Sequence, residues 1–349
     1  MKKNLFLLSI LYSLFSTLLF ACASKPVEPQ TLTVITHDSF VISEAAVKSF
    51  EEANNAKISF LQSGDAGAVL NQAILTKNAP LADVLFGVDN TFLSRALDGD
   101  IFNAYQSPAL KDIPAEFKLD FSNRALPVDY GDVCLNYDKK YFSENNLPVP
   151  QTFEDLAKPE YKDLLVVENP ATSSPGLAFL LATRAHFGDG YLDYWKSLKK
   201  NGVVVVDGWE AAYYTNFSAS SGKGAQTMVV SYASSPAAEV FFASEPLTES
   251  PTGSIVAPDM CFRQIEFVGI LKNTPNRAIA EKFVDFMLSK RFQEDMPLNM
   301  FVYPVNPSAS LPEVFTKHAQ VAAQPATISY EDIAKNRDAW IEAWTEAMK

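Results

Sequence analysis

From position 31 onward, apolar residues follow two alternating rhythms. Leu32-Thr33-Val34-Ile35-Thr36 is a short β-branched run of the kind that fills a buried strand, broken by the polar His37-Asp38-Ser39. Ala46, Val47 and Phe50 then recur at helical spacing, residues 56–62 read as a second strand, and Leu70, Ile74 and Leu75 mark a second helix behind the turn Ser63-Gly64-Asp65-Ala66-Gly67. Residues 82–87 give a third strand. The same alternation returns further on, with strands at 164–167, 203–206 and 227–232 and helices at 176–187 and 209–217. Strand, polar loop and helix repeated in this way predict an α/β protein with a largely parallel sheet.

Two longer extended segments separate the series, at 127–137 and 263–271, and an amphipathic helix follows at 277–288. One strand leaving the first unit and another returning predict two lobes joined by two extended crossings, with a ligand between them. Ligands of such sheets sit beyond the carboxyl ends of the strands, where this chain carries His37-Asp38-Ser39, Asp65 and Asp89-Asn90. The C-terminal segment 337–344 reads as a helix with Trp340 and Trp344 at i, i+4, placed for core packing.

The first 30 residues stand apart. Lys2 and Lys3 precede an apolar run to Phe20 that ends in Ala21-Cys22, which predicts a signal peptide over 1–21 and lipid attachment at Cys22. Residues 22–30 read as a tether, 31–127 as the first part of lobe 1, 128–265 as lobe 2, and 266–349 as the return to lobe 1 with the C-terminal helices. Export permits disulfides. Cys134 and Cys261 each lie in an apolar stretch, so two buried thiols are the leading expectation and a single bridge the other.

Composition narrows the function. The 349 residues are 48% hydrophobic and 20% charged, with 29 Lys+Arg against 41 Asp+Glu and a net charge of −12. No basic cluster offers a nucleic-acid surface, and the acidic field favours a cation. Three His and three Cys are too few for most multi-ligand zinc or iron–sulfur sites. Neither the nucleophile elbow of hydrolases, the paired-histidine zinc motif nor the P-loop is present in the sequence.

Three groups of residues could carry chemistry. Thr172-Ser173-Ser174-Pro175-Gly176 follows a strand and opens a helix, with Ser174 placed as N-cap and Pro175 first in the helix. The exposed N–H groups suit a phosphate or another anion, or simply a cap. Trp209, Tyr232, Phe301 and Tyr303 fall at or near strand ends, and such a set beside Asp38, Asp65 or Asp89 suits a flat cation. Tyr213-Tyr214 invites a ferric-iron reading, although adjacent helical positions diverge by about 100°.

Taken together, Thr36-His37-Asp38-Ser39-Phe40, Ala82-Asp83-Val84-Leu85-Phe86-Gly87, Pro127-Val128-Asp129-Tyr130-Gly131, the 172–177 motif, Gly208-Trp209, Ser231-Tyr232-Ala233-Ser234-Ser235-Pro236 and Tyr303-Pro304-Val305 resemble the periplasmic thiamine-binding proteins of ABC importers. The likeness runs over nearly all of the mature chain. It implies a two-lobed type II periplasmic-binding-protein fold and an interlobe cleft that binds thiamine or its phosphates without a cofactor or metal. It further implies delivery to a membrane permease by a monomer held at the outer face of a bacterial membrane.

By motif, Asp65 corresponds to the carboxylate at the pyrimidine end of the ligand. Thr172, Ser173 and Ser174 correspond to the loop at its hydroxyethyl or phosphate end, and Trp209 and Tyr232 to cleft aromatics. His37, beside Asp38, stands where the family has Tyr, Phe301 where it has Trp, and Ala238 where it has a cleft Tyr. A protonated His37 would weaken binding of a cation at low pH. The enzyme alternative, a thiaminase-like protein, requires Cys134 as nucleophile; the iron alternative requires Tyr213 and Tyr214.

Overall fold

The computed structural model describes residues 28–221 and 223–349. The predicted signal peptide, Cys22 and most of the tether lie outside them.

Eleven strands among the described residues form one sheet: β1 Gln30–Thr36, β2 Ala56–Gln62, β3 Val84–Asp89, β4 Phe102–Asn103, β5 Leu126–Asp138, β6 Leu165–Glu168, β7 Val204–Val206, β8 Met228–Tyr232, β9 Thr252–Ile255, β10 Phe262–Leu271 and β11 Tyr303–Pro304. The spatial order is β2-β1-β3-β10-β5-β8-β6-β7. β1, β2 and β3 are parallel, as are β8, β6 and β7. The largely parallel sheet of the sequence reading is therefore two parallel triplets joined by an antiparallel centre, since β10 runs against both β3 and β5, and β5 against β8. The centre consists of the two long crossings. Residues there cannot follow the strand–helix–strand handedness that keeps each triplet parallel, because each passes straight from one half to the other.

The inner strand β3 is covered on both faces and is apolar, with Val84, Leu85 and Phe86 fully buried, whereas the edge strand β2 alternates with exposed Lys57, Ser59 and Gln62. Leu32, Val34, Phe50, Phe283 and Val284 fill one core under the first triplet, while Val166, Ala212, Tyr213, Phe217 and Val229 pack together beside the second. The register shifts on β10 between Glu266 and Phe267 against β5, and between Phe267 and Val268 against β3, so the crossing strand bends where the halves meet.

The helix Ser174–Phe187 begins at the predicted cap, one residue earlier than expected. Ser173 is its N-cap, without a side-chain bond to the helix, and Ser174 is already helical. The predicted turn at 63–67 is likewise half helix, because Asp65 caps Ala66–Leu75 by accepting from the Ala66 N–H. The C-terminal helix Tyr330–Met348 spans both halves: Arg337 lies over Phe92 at 5.5 Å, and Trp344 meets Trp195 edge-on at 5.4 Å.

Cys134 and Cys261 form a disulfide, with their Cα atoms 4.3 Å apart. The leading expectation of two free thiols is corrected. Cys134 lies on β5 and Cys261 immediately precedes β10, so antiparallel pairing of the crossings brings together residues 127 positions apart. That pairing was not visible in the local apolar stretches.

Candidate functional site

A cavity of about 530 Å³ lies between the two halves. His37 and Asp38 follow β1, and Asp65 follows β2 by way of a tight turn at Gly64, so all three occupy the carboxyl ends of the first triplet. Ser174, Trp209 and Tyr232 come from the corresponding edge of the second triplet, and Phe301 from the segment ahead of β11. Those seven residues line the cavity. Thr172 and Ser173 do not. Ser173 is fully buried, and Thr172 turns into an adjoining groove, where its hydroxyl donates to the Asp207 carbonyl at 2.7 Å. Asp89, named only as a loop-edge acid, is buried behind the wall, and Tyr303 stacks on Tyr130 at 5.4 Å away from the cavity.

Asp65 joins the halves. Its Oδ1 accepts from the Ala66 N–H at 2.6 Å and its Oδ2 from the Trp209 N–H at 3.1 Å. Burial pushes its pKa up, against the Ser173 hydroxyl, the two backbone donors and His37. The Trp209 indole donates to Ser231 Oγ at 2.9 Å and stacks on Tyr213, with centroids 5.0 Å apart and planes 17° from parallel. This is a fixed aromatic floor. The Tyr232 hydroxyl donates to Gln264 Oε1 at 2.8 Å, and Gln264 donates in turn to Asp89. The buried Asp89 thereby sets the orientation of a cavity tyrosine three strands away.

His37 is buried at the end of β1, with Nδ1 2.9 Å from Ser39 Oγ and Nε2 3.4 Å from Glu266 Oε1. Burial disfavours its charge, but Glu266, Asp65 and Asp38 together outweigh that and raise its pKa. Glu266 is lowered in spite of burial because His37 and Asp129 hydrogen-bond to it. Asp129, its register partner on β5, is raised well above the carboxylate range by burial and by the charge on Glu266. On the third strand, burial pushes Asp89 up to about 6.

Several lining residues were not selected from sequence: Glu210, Glu266, Ser235, Met300 and the pair Phe241-Phe242. Glu266 is the lone acid of the crossing strand β10, a signal available in the sequence. Phe241 and Phe242, 45% and 69% exposed, approach Phe301 at 5.8 and 5.4 Å across the cavity mouth. Phe301 has a left-handed φ of 54°, uncommon for an aromatic residue, and its carbonyl accepts from the Ser234 hydroxyl of the opposite half. Ala238 also lines the wall, so all three positions that depart from the resembling family face the same space.

The alternative chemistries lose their groups here. Cys134 has no free thiol to act as a nucleophile. The Tyr213 hydroxyl donates to Glu239 Oε1 at 2.6 Å, and burial raises the pKa of both Tyr213 and Tyr214, which opposes the phenolates that a ferric ion requires. Their rings stand 88° apart. Among the described residues, no group of three or more His, Cys, Asp or Glu side chains could hold a metal ion.

Two halves of one sheet around an acidic, aromatic cavity define a solute-binding protein. The chain belongs to the bacterial extracellular solute-binding protein family, whose model matches residues 79–336. It is 29% identical over 343 residues to the thiamine-binding periplasmic protein of Salmonella typhimurium, covering 95% of this chain and 97% of that one. Its identity to the thiamine-binding periplasmic protein of Brucella suis is 28%, with 98% of each chain covered. The solved structure of a periplasmic thiamin binding protein superposes with a TM-score of 0.81 at 26% identity, over 93% of this chain and 100% of the other.

Proposed function

We propose that the chain is an extracytoplasmic receptor that binds thiamine in this cavity and delivers it to an ABC import permease, without altering it chemically. The observation that carries the reading is the pairing of an aromatic floor, Trp209 on Tyr213, with Asp65, Asp38, Glu210 and Glu266 around one space. Thiamine is a flat cation, so stacking, cation–π attraction and carboxylate pairing act on it together. The named relatives support the same ligand.

In this reading Asp65, Asp38, His37, Ser174, Trp209, Tyr232 and Phe301 contact the ligand, and Thr172 and Ser173 shape the loop behind them. Residues 31–127 with 266–349 form one lobe and 128–265 the other, and they close by bending at the crossings. The closed form is what the permease recognises. Cys22 carries the lipid that holds a monomer at the outer face of a bacterial membrane.

The test is calorimetric titration of the ligand-stripped protein with thiamine, followed by mass analysis of the recovered ligand. Saturable binding with thiamine returned intact is expected. A cleaved product would establish an enzyme, and absence of binding would remove thiamine as the ligand.

A further inference from the structure

Three phenyl rings meet at the mouth of the cavity, and they come from opposite halves. Phe241 ends the helix Ser235–Phe241, which follows β8, and Phe242 is its C-cap, donating its N–H to the Ala238 carbonyl at 2.9 Å. Phe301 lies between the helix Lys290–Asn299 and β11, and its neighbours Phe292, Met296 and Val302 are part of the core under the first triplet. The Phe241 and Phe242 rings stand edge-on, with centroids 5.0 Å apart, and Phe301 meets both at a tilt, at 55° and 57°.

Phe241 and Phe242 are exposed, so they add little to a core, and rings left in water carry a free-energy cost. Phe301, by contrast, is held in place. Met300 Sδ accepts from the Val41 N–H at 3.1 Å, which ties the turn to the loop after β1, and the hydroxyl of Ser234, the N-cap of the opposite helix, donates to the Phe301 carbonyl. Its left-handed φ of 54° is a conformation that a phenylalanine keeps only where the surroundings impose it. Ala238, one turn into that helix, packs against the cluster that holds Phe301 and is small enough for the ring to reach past it to Phe241 and Phe242. The carboxylates of the cavity, Asp38, Asp65, Glu210 and Glu266, come from other segments.

We propose that Phe241, Phe242 and Phe301 form an aromatic gate across the mouth, which holds the halves closed over the bound cation and sets the rate at which it leaves. Phe241 and Phe242 are positioning residues that act by meeting Phe301, and the carboxylates bind the charge. Parting the rings forfeits the aromatic contacts across the mouth. While the rings meet, water is kept from the carboxylates, which strengthens their attraction for a cation. The inference rests on the reading of this cavity as a thiamine site.

The test is the release of labelled thiamine from the full chain in detergent, chased with excess unlabelled thiamine. In Phe241→Ala combined with Phe242→Ala, release should be about tenfold faster or more, with association no slower than in the wild type. Thermal unfolding checks that the variant is folded. A double-mutant cycle separates the gate from direct contact with the ligand. In the Phe301→Ala background the same double substitution should change release by less than about twofold, because the partner ring is already gone. Phe301→Leu, which keeps apolar bulk but no ring, takes its place if Phe301→Ala does not fold. Release within about twofold of the wild type in the folded Phe241→Ala, Phe242→Ala variant overturns the gate and leaves the thiamine reading intact. An acceleration of about tenfold that persists without the Phe301 ring overturns it too, since Phe241 and Phe242 would then hold the ligand themselves. Absence of thiamine binding in the wild type overturns the thiamine reading, and the gate with it.

Discussion

Trp209 donates its backbone N–H to Asp65 Oδ2 at 3.1 Å, although the two residues are 144 positions apart and belong to opposite halves of the sheet. One residue thus presents an indole to the cavity and secures a carboxylate beside it. The bond uses the main chain of Trp209, so the side chain can be removed without deleting it.

Trp209→Ala should therefore report on the aromatic floor rather than on closure. The substitution removes the Tyr213 stack and the Ser231 hydrogen bond together with the indole face beside Asp65. Removing one strong cation–π and stacking partner costs about 1–2 kcal/mol, or roughly ten- to thirtyfold in thiamine affinity. Trp340, packed under Arg184 at 5.4 Å and far from the cavity, serves as control. Trp340→Ala should lower thermal stability and change affinity by less than about threefold. Equal affinity losses in titrations of the two variants would mean that Trp209 does not meet the ligand.

The Cys134–Cys261 bridge clamps the two crossings together at one end. Cys134→Ala combined with Cys261→Ala should lower stability by about 2–5 kcal/mol in denaturant titration, with the wild type kept oxidised. Thiol labelling of the unfolded, unreduced domain lacking Cys22 should find no free thiol. Two labelled thiols per chain would show that the bridge does not form.

Much of this fold was legible because local patterns coincide with tertiary roles. The β-branched runs became strands β1 and β3, the crossings at 127–137 and 263–271 became β5 and β10, and the helix predicted at 277–288 is Arg277–Leu288. Asp65, Trp209 and Tyr232 were found because each ends a strand at the loop edge. The disulfide and the juxtaposition of Asp129 with Glu266 were not, because both depend on the antiparallel register of the crossings, which no local run encodes. The 172–176 motif marks a helix start one residue late, since Ser173 rather than Ser174 is the N-cap, and how the loop folds onto Gly67 is a tertiary contact. Phe241-Phe242 lay at the exposed end of a helix, and only the left-handed turn at Phe301 brings an opposing ring to them.

Buried acids give the protein a distinctive dependence on pH. Asp89 has a folded pKa of about 6 against an ordinary 3.8, because burial outweighs the hydrogen bonds from Thr91 and Gln264. Between those values the folded state holds a proton that the unfolded state has released, so stability falls as pH rises through about 6. The contribution of Asp89 alone is on the order of 1 kcal/mol between pH 5 and pH 7.5. Asp129, Glu168 and His37, all raised, add to the same trend; Glu266, lowered, acts only on the acid side of its ordinary 4.5. The unfolding midpoint should therefore be higher at pH 5 than at pH 7.5, and Asp89→Asn should flatten the difference. A midpoint that rises with pH over that interval would contradict the assignment of protons to these carboxyls.

Gly87 provides the sharpest test of how His37 is held. Its φ of +100° places it in a conformation that other residues rarely adopt, and a Cβ there would come within 2.4 Å of His37 Cδ2. The ring cannot simply retreat, because its two nitrogens face Ser39 and Glu266 and its centroid lies 5.9 Å from that of Phe86. Gly87→Ala should cost about 1–3 kcal/mol of stability through backbone strain and should also displace His37 from Glu266. The two effects separate in a double-mutant cycle. In the His37→Ala background the clash is gone and only strain remains, so Gly87→Ala should cost less there, with a coupling of about 1 kcal/mol or more. Affinity should follow the ring rather than the backbone: Gly87→Ala should change thiamine binding in the wild type and leave it unchanged once His37 is absent. Strict additivity in both stability and affinity would show that the glycine serves only the turn of the chain and that His37 is positioned by other contacts.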